Sequence, residues 1–293
     1  MTYSIVARDQ QTGELGVAVQ SHWFGVGRAV PWAAPNVGAV ATQANIRTAY
    51  GPEALELLAA GVSAEDALAQ LTASDPGAAT RQLAIVDAHG GVAAHTGTDC
   101  MAFAGHVTGE QVSCQANIMA NASVWPTMLE VFSTAAGPLA SRLLAALDAA
   151  EAAGGDIRGR QSAALLVVPA AGEPWETTVS LRVEDHPEPL VELRRLFDLQ
   201  GAYGQASIGD ALAGDGRHDE AAVHFQKASE LAPDNHELLF WSGLGTVVLG
   251  DVDGGVELVR EAIQQQPGWA ELLARLTTAE SPAVPVVRER LGL

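Results

Sequence analysis

The order in which strand-like and helix-like segments alternate constrains this chain more than any other feature. Residues 3–8 and 15–21 read as two strands around the turn Gln11-Thr12-Gly13, a hairpin. Residues 37–43 form a third, short apolar strand. Gly51-Pro52 then opens an apolar-periodic helix through Leu55, Leu57 and Leu58, and Ser63 caps the next one, with Asp66 placed as in a capping box. Four strands follow at 82–87, 92–96, 101–107 and 111–117, separated by short turns and read as an antiparallel meander. Two helices at 123–135 and 138–152 and two closing strands at 162–168 and 177–183 complete the pattern. Strands, two helices, strands, two helices, strands is satisfied by two antiparallel sheets with helices on both outer faces. The expected fold is therefore α+β, a four-layer α/β/β/α sandwich over residues 1–200.

The tail, 201–293, is of another kind. His186-Pro187-Glu188-Pro189 marks a break, and every later window is helical. It also repeats: Gly209/Gly243, Ala228/Ala262 and Pro233/Pro267 are each 34 residues apart. Ile208, Gly209, Leu212, Ala221, Phe225, Ala228 and Pro233 fall at tetratricopeptide offsets. In the second unit, Gly255 and Val259 replace the expected alanine and aromatic residue. The expectation is an all-α helical-repeat tail that docks on the first domain or binds a protein partner through residues 202–269.

Composition narrows the function classes. The 293 residues carry 35 Asp+Glu against 16 Lys+Arg, a net charge of -19, which disfavours nucleic acid and anionic membrane surfaces. Hydrophobic residues make up 48%, enough for a real core, yet no apolar run reaches membrane-spanning length. The start Met1-Thr2-Tyr3-Ser4-Ile5 lacks the pattern of a signal peptide, so the expected location is the cytoplasm. Cys100 and Cys114 are the only cysteines and read as buried thiols, although they can also face each other on neighbouring strands. Lys227 is the only lysine, which excludes Schiff-base, Walker and Ser-Lys chemistry from everything before it. The scattered histidines have no zincin spacing, Gly25-Val26-Gly27 does not complete a dinucleotide fingerprint, and no Gly-x-Ser-x-Gly elbow exists, so no metal and no cofactor is expected.

The N-terminus carries the sharpest chemical signal. Thr2 is small enough for methionine aminopeptidase to remove Met1, and it opens a strand. A free N-terminal threonine holds nucleophile and base in one residue, because its amine, with pKa near ~7.7–8, can take the hydroxyl proton. Many chains begin Met-Thr by chance, so context decides. That context is given by residues 2–9 (TYSIVARD), 13–24 (GELGVAVQSHWF), 37–44 (VGAVATQA), 94–97 (AHTG) and 155–162 (GDIRGRQS). Together they resemble an uncharacterised bacterial and archaeal family, catalogued as a domain of unknown function (DUF1028) and placed among the N-terminal-nucleophile (Ntn) hydrolases. The resemblance covers about residues 1–215. It implies an Ntn-hydrolase-like sandwich and a hydrolase reaction class, although a fold does not by itself fix a function.

What the resemblance implies for the site can be written residue by residue. Thr2 takes the nucleophile position. Threonine members of the superfamily use an Asp near the end of the second strand and a Lys on the next strand; here Ser21 and His22 stand at that strand end and no lysine precedes Lys227, which weighs against a proteasome-like peptidase. His22 either supplies part of the missing polarity or is a hydrogen-bonded histidine beside Trp23. Gln43 and Asn45 fall where the superfamily forms an oxyanion hole, or else they cap a turn. Asn117 is a candidate second amide donor. Arg160 clamps a substrate carboxylate, or Asp156 pairs with Arg158 or Arg160 to fix the loop. His95 sits near the cleft or is structural. The aromatic residues Trp23, Phe24, Trp32 and Tyr50 are core or pocket lining.

Two functions from different classes follow. One is an Ntn amidohydrolase acting on a small amide or peptide-like molecule through Thr2. The other is a non-catalytic scaffold that keeps the fold and binds a protein through its tail. A homodimer is the default assembly.

Overall fold

The N-terminal hairpin forms as its sequence implies. Strands β1 (Thr2–Arg8) and β2 (Leu15–Ser21) pair antiparallel, with Tyr3 opposite Gln20 and Arg8 opposite Leu15. Asp9 Oδ1 closes the turn by accepting the N–H groups of Gln11 and Thr12 at 2.9 and 2.8 Å, and Gly13 supplies the left-handed residue, φ 76°. The computed structural model describes residues 2–293, and the chain divides into two compact units, the first ending at Arg194 and the second spanning Arg195–Leu293.

The first unit holds two antiparallel sheets. Its further strands are β3 (Pro31–Ala34), β4 (Gly38–Ala44), β5 (Arg81–Asp87), β6 (Val92–Thr96), β7 (Gly105–Gly109), β8 (Val112–Asn117), β9 (Ser162–Val168) and β10 (Val179–Val183). The six-stranded sheet runs β10-β9-β2-β1-β8-β7 and the four-stranded sheet β3-β4-β5-β6. Strand alternation gives each sheet two buried faces. Between the sheets lie Val6, Val17, Val19, Ala39, Ala41, Ala84, Val86 and Ala164, where the small residues let the sheets approach. On the other side of the four-stranded sheet, Val40, Leu83 and Ile85 pack against α1 (Tyr50–Ala59) and α2 (Ala64–Ala73). Helices α3 (Val124–Thr134) and α4 (Leu139–Ala152) cover the six-stranded sheet. Helix α4 lies so close that a Cβ at Gly16 would fall 2.7 Å from Leu143.

Two strand expectations are corrected. The meander does not stay in one sheet: β5 and β6 belong to the four-stranded sheet, β7 and β8 to the six-stranded one. Alternation reads the same in either sheet, so the crossing at residues 97–104 leaves no periodic trace. It also moves Met101 out of a strand and starts β7 at Gly105. The short β3 was not anticipated, because proline and two alanines carry little strand pattern; as an edge strand it tolerates Pro31. Cys100 and Cys114 are both free, the first in the crossing loop and the second buried in β8, where burial pushes its thiol pKa up.

The second unit is helical. Helix α5 (Pro189–Gly214) runs across the division. The first turns of α5 belong to the first unit, where Arg194 pairs with Asp148 of α4. Helices α6 (His218–Leu231), α7 (His236–Val248), α8 (Val252–Gln265), α9 (Gly268–Arg275) and α10 (Val284–Leu291) follow. Helix α8 starts and ends 34 residues after α6. Gly209 packs under the Phe225 ring, and Gly243 and Gly255 bring α7 and α8 together so closely that a Cβ on Gly255 would lie 2.5 Å from the Gly243 carbonyl. Among the described residues, no helix is long and apolar enough to cross a membrane.

Candidate functional site

The inner faces of the two sheets change character along their length. Following one face of each strand, Val6 gives way to Ser4 and Thr2, Val19 to Ser21, Ala41 to Gln43, Ala84 to Gln82, and Ala164 to Ser162. Strand register then sets polar residue against polar residue: Thr2 opposite Asn117, Ser4 opposite Gln115, Ser21 opposite Ser162, and Gln43 opposite Gln82. One end of the inter-sheet layer is therefore a cluster of buried hydroxyls and carboxamides, and this is the end at which β1 begins.

These groups satisfy one another, as buried polar groups must. Ser4 Oγ donates to Gln43 Oε1 at 2.6 Å, and Gln115 Nε2 donates to Ser4 Oγ at 2.6 Å. Gln82 Oε1 accepts from Gln43 Nε2 at 2.9 Å and from Asn117 Nδ2 at 2.8 Å. Gln82 Nε2 in turn reaches the Ala116 carbonyl at 2.8 Å, so it ties the two sheets together. Both Gln43 Nε2 and Asn117 Nδ2 also approach the Thr2 carbonyl at 3.4 Å. These two contacts tie both carboxamides to the Thr2 backbone. The Thr2 hydroxyl donates to Ser21 Oγ at 3.1 Å.

Above this cluster lies a cavity of about 820 Å³, lined by Thr2, Gln43, Asn45 and Asn117 together with Trp23, Arg28, Ile46, Asp99, Met101 and Arg158. Ala44 and Ile118, which directly follow Gln43 and Asn117, also line it and sit at φ 70° and 57°. A β-branched residue in the left-handed region is strained, and such strain collects at functional sites. The wall beyond β4 is fixed by an ionic chain. Asp75 accepts from Arg81 Nε at 2.6 Å and from the Tyr50 hydroxyl at 2.7 Å, and Arg81 donates onward to the Asn45 carbonyl. The Tyr50 hydroxyl, then the Gly77 N–H and Arg81, hold the Asp75 pKa down at about 2, against burial. Burial pushes the Cys100 thiol up, so it is not poised as a nucleophile.

The opposite rim is the segment after β2. Ser162 Oγ donates to the Trp23 carbonyl and accepts the Val26 N–H at 3.1 Å, while Gly25 N–H donates to Glu184 O at 2.9 Å. A short 3-10 turn, Val26–Arg28, is held there with Trp23 60% exposed beside it. Asp156, whose carboxylate is fully buried, accepts the His22 N–H at 3.1 Å and an Arg158 ion pair at 3.0 Å.

Of the residues singled out by sequence, Thr2, Gln43, Asn45 and Asn117 line one cavity, with Ser21 hydrogen-bonded to Thr2. The Asn45 backbone N–H donates to the Thr80 carbonyl at 3.1 Å and its Nδ2 to Thr80 Oγ1 at 3.2 Å, so it bonds the residue before β5 rather than its own turn. The His22 ring faces the Arg160 carbonyl, Nδ1 to O at 3.3 Å. Arg160 is absent from the cavity lining and pairs with Glu151 and Glu188; Asp156 is paired with Arg158, and of these two loop arginines it is Arg158 that lines the cavity. His95 Nε2 lies 2.9 Å from the Ala78 carbonyl, a structural contact. Tyr50 and Trp32 pack with the α1 side of the four-stranded sheet, Trp23 lines the cavity, and Phe24 is exposed. Ser4, Gln82, Gln115, Arg28 and Ser162 were missed. Among the described residues, no group of three His, Cys, Asp or Glu side chains is arranged to hold a metal ion.

A family model matches residues 2–193 and is described as a family of unknown function (DUF1028). The crystal structure of protein SPO2555 from Silicibacter pomeroyi, assigned to the same family, aligns with a TM-score of 0.62 at 38% identity, over 67% of this chain and 84% of that one. No curated protein matches the chain. The family match ends at residue 193, next to the division at Arg194, so the helical unit lies outside it.

Proposed function

The chain belongs to the DUF1028 family of unknown function, and on that premise we propose that it is an Ntn amidohydrolase whose nucleophile is Thr2 once Met1 is removed. The observation that carries the reading is the position of Thr2. The second residue of the chain opens a central strand, reaches the wall of the 820 Å³ cavity and donates its hydroxyl to Ser21 at 3.1 Å. Two facing sheets with helix pairs on their outer sides fit the four-layer Ntn sandwich.

In the proposed reaction, Thr2 Oγ1 bonds to the amide carbon while its proton passes to the Thr2 amine. The C–N bond breaks as that proton moves to the leaving nitrogen, and water then hydrolyses the Thr2 ester. Ser21 orients the hydroxyl; Gln43 and Asn117 position Thr2 through its carbonyl. No lysine assists, so the α-amine is the base.

The intact mass of the purified protein tests the premise, because retained Met1 turns the amine into an amide and overturns the reading. With Met1 absent, hydrolysis found by screening small amides falls to background in Thr2→Ala; unchanged turnover moves the chemistry elsewhere.

For the tail, the tetratricopeptide-like reading rests on the 34-residue offset between α6 and α8 and on the glycine contacts of Gly209 and Gly243. A cavity of about 320 Å³ within this unit, lined among others by Asp210, Phe225 and Trp241, gives a peptide partner a place to bind.

A further inference from the structure

We infer that the cavity selects an amphipathic carboxylate, of the N-acyl amino acid class, and that Arg28 is the residue that reads its anion. The inference rests on the reading of the Thr2 cavity as the substrate site, and it assigns that site a substrate class.

The first observation is an arginine with nothing to bind. The other arginines of the first unit are held by carboxylates or, for Arg8, by the Gln111 carboxamide. Among the described residues, the Arg28 guanidinium has no hydrogen-bond acceptor, ion pair or aromatic partner. In a chain with 35 acidic and 16 basic residues, local pairing would readily neutralise a stray arginine. Glu184, beside the same turn, is engaged by Arg182.

The second observation is placement. Arg28 lines the cavity from a turn that is not loose. Ser162 bonds both the Trp23 carbonyl and the Val26 N–H, and a Cβ at Gly27 would lie 2.7 Å from Ala164, so the turn is pressed onto β9. A guanidinium on a fixed turn gives a carboxylate a two-pronged partner.

The third observation is what surrounds it. Trp23, Ile46 and Met101 bring exposed apolar surface to the same cavity, 60%, 37% and 67% exposed. Apolar walls with one free cation fit a ligand that has an apolar body and a single anionic end. Arg158 adds positive charge but is committed to Asp156, and Asp99 is the carboxylate that such a ligand must avoid.

Binding separates this inference from the catalytic one. Full-length protein carrying Thr2→Ala, which cannot turn substrate over by the proposed route, is titrated with N-octanoylglycine and with its methyl ester. The acid is expected to bind at least about tenfold more tightly than the ester, as a charge-assisted hydrogen bond gives. Adding Arg28→Gln erases the preference, Arg28→Lys restores part of it, Asp99→Asn leaves or raises it, and salt shrinks it. Arg28 is exposed, so Arg28→Gln leaves the melting temperature unchanged. Equal binding of acid and ester, no binding of either, or a preference that survives Arg28→Gln overturns the inference. None of these outcomes bears on whether Thr2 is the nucleophile, which mass and turnover decide.

Discussion

The two ends of the inter-sheet layer are built from the same strands and differ in what they bury. At one end, Val6, Val17, Ala39, Val86 and Val168 close an apolar core. At the other, Thr2, Ser4, Gln43, Gln82, Gln115 and Asn117 are equally buried but hydrogen-bonded. Apolar residues would fill the second end at less cost, because each carboxamide there gives up hydration and regains only what its partners return. The difference teaches that the polar end holds one backbone, that of Thr2, in place, whereas the apolar end only has to fill space.

Breaking the polar end has the larger expected effect. Gln82→Ala removes the acceptor of Gln43 and Asn117 and the donor to Ala116 O, all inside the protein. A loss of about 3 kcal/mol of unfolding free energy is expected from the unsatisfied groups, together with a loss of any activity that depends on Thr2. Urea unfolding reads the first and turnover the second. At the apolar end, Val17→Ala removes two methyl groups from a fully buried site and costs about 2 kcal/mol with turnover retained. Equal activity losses at both ends would erase the distinction.

This contrast was partly legible in the sequence. The apolar runs of β1, β2, β5 and β9 are plain, and so are the polar residues at their ends; what such runs do not report is which face lies between the sheets, because both faces of these strands are buried. Thr2 was found from its place at the start of a strand behind a removable methionine, and Gln43 and Asn117 from what the family resemblance implies. Gln82 and Gln115 were not, since a glutamine in a strand carries no chemical signature until register sets it opposite another. Arg158 and Arg160 stand two residues apart in one loop, and only the loop's path, fixed by the Asp156 carboxylate, decides which one lines the cavity. Arg28 was invisible for a different reason: lack of a partner is a tertiary property. The sheet switch between β6 and β7 was hidden because period-2 patterning is the same in either sheet.

A smaller effect sharpens the comparison at the rim. Ser162 opposes Ser21 in register and bonds the turn carrying Trp23 and Arg28 rather than the polar cluster. Ser162→Ala is expected to cost about 1 kcal/mol and to weaken the acid-over-ester preference while leaving the Thr2 hydroxyl partnered. Full preference in that variant would mean that the turn is rigid without its anchor.

The smallest effect is confined to acid. The Tyr50 hydroxyl, the Gly77 N–H and Arg81 hold the Asp75 carboxyl down at about 2, below the ~3.9 of an unfolded aspartate. A carboxylate with a depressed folded pKa contributes its stability fully above the unfolded value and loses it as pH falls through the folded one. The stability gap between wild type and Asp75→Asn is therefore constant from neutral pH down to about 4 and closes between about 4 and 2. Urea midpoints measured across that range read it directly. A gap that persists at pH 2 would mean that Asp75 acts through shape, not charge. Since Arg81 carries the contact on to the Asn45 carbonyl, the cavity wall on this side should loosen over the same acid window, while the two Ser162 bonds to the Trp23–Val26 turn, which involve no titrating group, should not.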